Sequence, residues 1–399
     1  MGAKSKIKSI IVSILSKSPI SSKYAGPPKK CMSALEWFNM QGKVLGASLQ
    51  AIYPSESRAE PPPITLETDH LKVHRDLFQR ETWPAFVCTI PKGRVWGKNG
   101  AVITSDDVLL EDVSREFGCY GGVTGLRHSI FKQIRLGTCM KVGGCVAVVA
   151  SAGAYNYYHW LFDILPRIQL LKDADLFKRV DYFLVDYHGL KFQDESLLAL
   201  GVPLNKIIVP KADRKFQLLA SSLVVPSLPG RLGAINPWPI SSIRKQFLKD
   251  SHPKQTLKLY ISRRRAPTRK ITNEAQLMLK LKSMGFEEFF PEDYSITCTA
   301  SLFSRASFII GAHGAGLANL VFCSTGACAI DIVAPRHVDG LFWILCNLVG
   351  VRYAYLFGEG PRPLEGEDLV LSKKDEDITV DLDKLCKLYE RLVGVIGQS

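Results

Sequence analysis

From Leu257 to the end, strand-like apolar runs alternate with helix-period stretches, and this alternation limits the possible folds more than any other feature. LKLYISR reads as a strand, and NEAQLMLKLKSMG and ITCTASLFSRA read as helices. Strand SFIIGAHG, helix AGLANLVFC, strand CAIDIVAP, helix DGLFWILCNLVG and strand VRYAYLFG follow, and LDKLCKLYERLVGVIG closes the chain as a helix. Strands separated by helices pair in parallel, which predicts an α/β layer structure. A similar run lies upstream: helical NYYHWLFDILPRIQLL, strand DYFLVD, helical ESLLALG, then strands KIIVP and SSLVVPSL. Before it, from about Gly93, short strand-like runs separated by turn residues predict a mixed or antiparallel region.

A length of 399 residues suits two domains. The stretch Pro226–Pro239, PSLPGRLGAINPWP, is the best candidate linker. The expected organisation is an irregular basic arm over 1–60, an α/β domain over 61–235 and a second over 236–399. The final helix is free to pack back on the first domain. Two such halves facing one another imply a cleft, where ligands of α/β folds usually bind.

The formal net charge of +13 suits an anionic partner such as a nucleotide diphosphate or an anionic membrane surface. Ten cysteines are scattered without a CxxC pair, so zinc spacing is missing and a reducing compartment is favoured. Residues 1–30 hold lysines at 4, 6, 8, 17, 23, 29 and 30, no acidic residue, and apolar Ile7, Ile10, Ile11, Ile14 and Leu15 between them. Such a segment reads equally well as a peripheral membrane contact or as a solvated tail. No run approaches the about 20 apolar residues of a membrane span.

Three motifs carry chemistry. Gly311-Ala-His-Gly-Ala-Gly316-Leu-Ala-Asn319 follows the apolar strand Phe308–Ile310 and opens a helix. Glycines there let backbone amides approach a ligand, a helix N-terminus favours anions, and His313 is placed to donate to a phosphate oxygen. A tight turn needed only for packing is the plainer alternative. The second motif is the strand exit Tyr260-Ile-Ser-Arg263-Arg264-Arg265-Ala-Pro-Thr-Arg269-Lys270, then Thr272-Asn273-Glu274. Between Ser251 and Asn273 there are seven Lys or Arg and no acid. Arginines recognise diphosphates bidentately and neutralise a leaving phosphate, whereas an ordinary basic run is a solvated loop. In the third, His159 and Asp163 stand four apart on a predicted helix, hence on one face. A carboxylate beside an imidazole fixes its tautomer, as a general base needs, but also describes a buried structural pair.

Together, HxxxD, ISR…R…NE and GAHGAGL, in this order over roughly residues 80 to 360, resemble glycosyltransferase family 61. The resemblance implies a GT-B-like α/β fold, two Rossmann-like domains facing a cleft, and inverting transfer from a nucleotide-diphosphate sugar, UDP-linked by preference, to a hydroxyl of a glycan or glycoconjugate. It implies that Arg263, Arg269, Asn273, Glu274, His313, Gly314, Ala315, Gly316 and Asn319 line the donor site. His159 and Asp163 would face the acceptor as catalytic residues, with either one the base. No cofactor or metal ligand is implied, and a divalent metal is left open. Animal and plant members typically carry an N-terminal membrane anchor that is not visible here, which shifts the expected location to the cytoplasm and the cytoplasmic membrane face.

Two rival classes fit parts of this pattern. A GT-B-like module that binds nucleotide or glycan without turnover need not keep both the His–Asp pair and the arginines; donor hydrolysis without acceptor separates it from an enzyme. A nucleic-acid-binding protein is disfavoured, because no RNP, helix-turn-helix or zinc pattern is present.

Overall fold

The computed structural model describes residues 26–68, 72–118, 121–210, 215–231, 234–248, 254–336, 339–362 and 375–396. Most of the basic N-terminal segment, residues 1–25, lies outside the described residues, and so does the membrane-contact expectation attached to it. The chain forms two compact units, one of residues 1–55 and 83–232, the other of 56–82 and 233–399.

The first unit is built on a ten-stranded mixed sheet. Its strands are β1 (Lys30–Met32), β2 (Ser48–Tyr53), β3 (Ala85–Pro91), β4 (Arg94–Trp96), β5 (Ala101–Ile103), β6 (Val108–Leu110), β7 (Cys139–Val148), β8 (Tyr182–Leu184), β9 (Ile207–Ile208) and β10 (Gln217–Pro226). The main path runs β1-β6-β5-β4-β10-β7-β8-β9, with β3 joining β10 and β2 joining β3. β10, β7, β8 and β9 pair in parallel, as the strand–helix alternation predicts. β3 to β6, where turns replace helices, pair antiparallel. Residues 30–53 depart from the irregular arm expected of them: β1 pairs with β6, and β2 with β3. Their short, half-exposed edge strands carry too little apolar periodicity to announce themselves.

The second unit is built on a five-stranded sheet of β11 (Leu257–Ile261), β12 (Glu287–Phe289), β13 (Ala306–Ala312), β14 (Cys328–Val333) and β15 (Arg352–Phe357), in the order β12-β11-β13-β14-β15. Every neighbouring pair is parallel. β14 is buried at every position, as a central strand covered on both faces must be. The order reverses between β11 and β13, and such a reversal opens a crevice at the carboxyl ends of the two strands. The final helix, Leu382–Ile396, buries Leu385, Leu388 and Leu392 in the same core as Phe308, Ile310 and Ile330. It therefore belongs to this unit. Residues 56–82 also join the second unit: Ile64 bridges to Ala354, and Trp343 Nε1 donates to Pro61 O at 2.8 Å. Among the described residues no helix is long and apolar enough to cross a membrane.

Candidate active-site regions in the two units

In the first unit the parallel strands reverse order at β7, which has β8 on one side and β10 on the other. The loop leaving β7 leads to three consecutive helical segments, Tyr157–His159, the π-helical Trp160–Ile164 and Leu165–Asp173. Asn156 caps the start by accepting from Tyr158 N at 2.9 Å. Pro166 has no N–H to continue the ladder, so the helix widens before it and restarts at Leu165. The widened turn carries Asp163. His159 Nδ1 lies 2.8 Å from Asp163 Oδ2, with side chains 25% and 12% exposed, so the pair sits at the surface of the core and open to one side.

Two arginines complete the cluster. Arg115 Nη2 is 3.5 Å from Asp163 Oδ2. Arg167, one turn beyond Asp163, is buried and donates to Ala150 O at 2.8 Å and to Pro226 O at 2.9 Å, tying together the carboxyl ends of β7 and β10. Burial pushes the Asp163 carboxyl up, but the His159 hydrogen bond and the charges of Arg115, His159 and Arg167 outweigh it and hold the group below the usual carboxylate value. Burial lowers the Arg167 guanidinium to about 9, still cationic at neutral pH. Asp163 is therefore an anion that accepts from Nδ1–H, which places the imidazole lone pair on Nε2.

In the second unit the basic run and the glycine loop meet at the β11/β13 reversal. Arg263 folds back so that Nη2 donates to Thr268 O at 2.9 Å. A Cβ on Gly314 would come within 2.1 Å of Arg263 Nη1, so glycine is needed here for close approach of the guanidinium. The backbone of Gly314 is extended, at φ 165, and exerts no such demand itself. Burial and the like charge of Arg269 lower Arg263 to about 10. Arg269 sits in the left-handed region at φ 56, and its Nε is buried without a hydrogen-bond partner. Left-handed backbone in a residue with a Cβ costs of order 1 kcal/mol or more and concentrates at functional sites. Among the described residues neither arginine forms an ion pair, whereas Arg264 and Arg265 are bound to Glu288 and Asp293.

The eight-residue 3₁₀ helix Ala315–Phe322 follows, and Gly314 gives it no side-chain cap. Its first amides are thus left without an intrahelical acceptor. Gly316 packs on β11, where a Cβ would lie 3.0 Å from Ile261 Cγ2. Buried Asn319 donates to Gly316 O at 3.0 Å.

Three residues expected to bind the donor directly are committed elsewhere. His313 Nδ1 lies 2.8 Å from Asp331 Oδ2, and Nε2 lies 3.2 Å from Asp339 Oδ2. With a carboxylate on each nitrogen, the ring has no N–H to offer a phosphate oxygen. Burial alone would lower the imidazolium, but Asp331 and Asp339 raise it to about 10, so it is a fixed cation. Asn273 donates to Val380 O at 2.8 Å and accepts from Val380 N at 3.0 Å. Glu274 Oε1 accepts from Tyr260 and Ser262 hydroxyls, each at 2.8 Å.

Arg115, Arg167, Asp331 and Asp339 were not singled out from sequence. Asp331 had a signal: a lone acid inside the apolar run CAIDIV requires a buried partner. Arg115 had none. Among the described residues no group of three or more His, Cys, Asp or Glu is arranged to hold a metal.

Mixed α/β units that carry these motifs are the class the structure defines, and a comparison of families identifies it further. Residues 157–330 match the glycosyltransferase 61 family model, which supports the resemblance carried by the motifs. It is a glycosyltransferase. Curated proteins include no match to it.

Proposed function

We propose that the chain is an inverting GT-B glycosyltransferase that moves a sugar from a UDP-sugar to a hydroxyl of a glycan or glycoconjugate. The observation that carries this reading is the meeting of Arg263 and Arg269, unpaired with any described acid, above Gly314 at the strand reversal of the second unit. Two half-buried guanidiniums that repel one another call for an anion with more than one charge. A nucleoside diphosphate supplies it.

In the proposed reaction His159 Nε2 takes the proton from the acceptor hydroxyl, and that oxygen attacks the anomeric carbon. The bond from that carbon to the phosphate oxygen breaks, and the electron pair leaves on the diphosphate. Arg263, Arg269 and the first amides of Ala315–Phe322 receive the developing charge. Asp163 orients His159 and stabilises the imidazolium. His313, Asn273, Glu274 and Asn319 position these groups without touching the donor.

Titration of UDP, uridine and inorganic pyrophosphate into the wild type, Arg263→Ala and Arg269→Ala tests the donor site. UDP is expected to bind the wild type, and each variant to lose about tenfold to a hundredfold in affinity, the worth of a charge-assisted hydrogen bond. Equal UDP affinity in all three proteins would overturn the assignment.

A further inference from the structure

Around the open side of His159 the first unit gathers aromatic rings that the proton-transfer chemistry does not use. The Phe117 ring lies on the His159 ring, with centroids 4.9 Å apart and planes at 52°. Phe117 is 43% exposed, and Tyr155 is 61% exposed in the loop that enters the helix. Gly153, two residues before Tyr155, has φ +83, and a Cβ there would meet His159 Cδ2 and Phe117 Cε2, each at 2.8 Å. The missing side chain is what lets both rings reach this surface.

The rim is polar. Tyr155 meets the His188 ring edge-on at 6.2 Å, and His188 Nε2 is 3.3 Å from Asp186 Oδ1. Asp186 and His188 follow the end of β8, the parallel neighbour of β7. Gln193 Nε2 donates to Ala154 O at 3.0 Å and fixes the tyrosine loop from that side. Large apolar side chains left exposed on a folded surface usually cover something. The occupant that fits needs an apolar face for the rings and hydroxyls at its edge for His159 and His188. A pyranose has that shape: its axial C–H bonds form a patch of slight positive charge, suited to the negative face of an aromatic ring.

We propose that Phe117 and Tyr155 are the platform on which the acceptor sugar stacks, with the Asp186–His188 pair binding its edge hydroxyls, so that the acceptor is a glycan and not a bare protein hydroxyl. The inference rests on His159 as the base, and the two are separable by experiment. Saturation-transfer NMR with methyl β-D-glucopyranoside, methyl β-D-xylopyranoside and methyl β-D-galactopyranoside reads the platform without donor or turnover. At least one of them is expected to receive saturation on the ring protons of one face. Phe117→Ala and Tyr155→Ala should each weaken that binding about threefold to tenfold, and Phe117→Tyr and Tyr155→Phe should restore it. UDP affinity, a property of the second unit, should be unchanged in all four variants.

His159→Gln should keep the glycoside signal, since the platform remains. No saturation of any glycoside in the wild type, or undiminished saturation in the Phe117→Ala/Tyr155→Ala double variant, would overturn the proposal. Saturation of a Gly-Ser-Gly peptide in place of the glycosides would do the same. If instead His159→Gln retains full transferase turnover while the glycosides bind as expected, the base assignment fails and the platform stands.

Discussion

His159 and His313 each meet an aspartate through Nδ1 at 2.8 Å, and there the likeness between the two units ends. His159 has one carboxylate, and its side chain is 25% exposed. His313 has a second carboxylate on Nε2, and its side chain is 5% exposed. The first arrangement leaves one nitrogen for chemistry. The second saturates both nitrogens and raises the ring to about 10 against burial. Geometry around the second nitrogen, and not the presence of a His–Asp pair, separates the proposed base from the doubly bound cation.

The sharpest way to break this comparison is to remove each imidazole. His159→Ala is expected to lower kcat by about a hundredfold to ten-thousandfold, the usual loss of a general base, with UDP affinity unchanged. Asp163→Asn should fall in the same range, because the amide no longer selects the productive tautomer. Near-normal turnover in His159→Ala would end its assignment as base.

His313→Gln should act on stability instead. Removing the cation leaves Asp331 and Asp339 facing one another in a buried site, at a cost of about 3–5 kcal/mol in denaturant unfolding. Its pH dependence follows from the direction of the shift. The folded state holds this proton more tightly than the unfolded chain, whose ordinary value is 6.5 against about 10 when folded. The contribution is complete below pH 6.5, declines as pH rises above it, and is lost beyond about 10. Wild type should therefore lose stability across that window, and His313→Gln should lack this part of the slope. Identical profiles for the two proteins would place the His313 charge elsewhere.

A smaller effect is expected from Gly314→Ala. The extended backbone accepts alanine, but the new Cβ would stand 2.1 Å from Arg263 Nη1, and the guanidinium must move. UDP affinity should fall by about tenfold, with stability changed by under about 1 kcal/mol. Normal affinity would make the glycine a plain turn residue.

The same comparison shows what sequence could and could not convey. The five parallel strands of the second unit were legible because each is a short apolar run followed by a helical one. The meeting of Arg263 with the glycine loop was legible in outline, since both motifs leave strands at their carboxyl ends. That His159 and Asp163 pair was readable from their spacing of four. The partners of His313, Asp331 and Asp339, were not legible because they lie beyond the loop, and spacing reveals only partners within a turn or two. Residues 56–82 gave no sign of their place: Ile64 adds to β15 through backbone bonds to Tyr353 O at 2.9 Å and from Tyr355 N at 3.1 Å. Backbone pairing at a sheet edge leaves little trace in side-chain pattern.

A last predicted change concerns the hydroxyl that shares Asp331 with His313. Tyr353 donates from its phenol to Asp331 Oδ2 at 2.9 Å, on the same oxygen that faces His313 Nδ1. Burial and the Asp331 charge push the phenol well above its ordinary value, so it remains a donor at every accessible pH. Asp331 Oδ1 is buried without a hydrogen-bond partner, so the carboxylate depends on these two donors. Tyr353→Phe keeps the ring and removes only the O–H, which should cost about 1–3 kcal/mol in unfolding free energy. With one donor gone, His313 carries more of the carboxylate's charge. The double variant with His313→Gln should therefore lose more stability than the sum of the single variants. Simple additivity in that cycle would show that the phenol and the imidazolium act on Asp331 independently, and that His313 is held chiefly by Asp339.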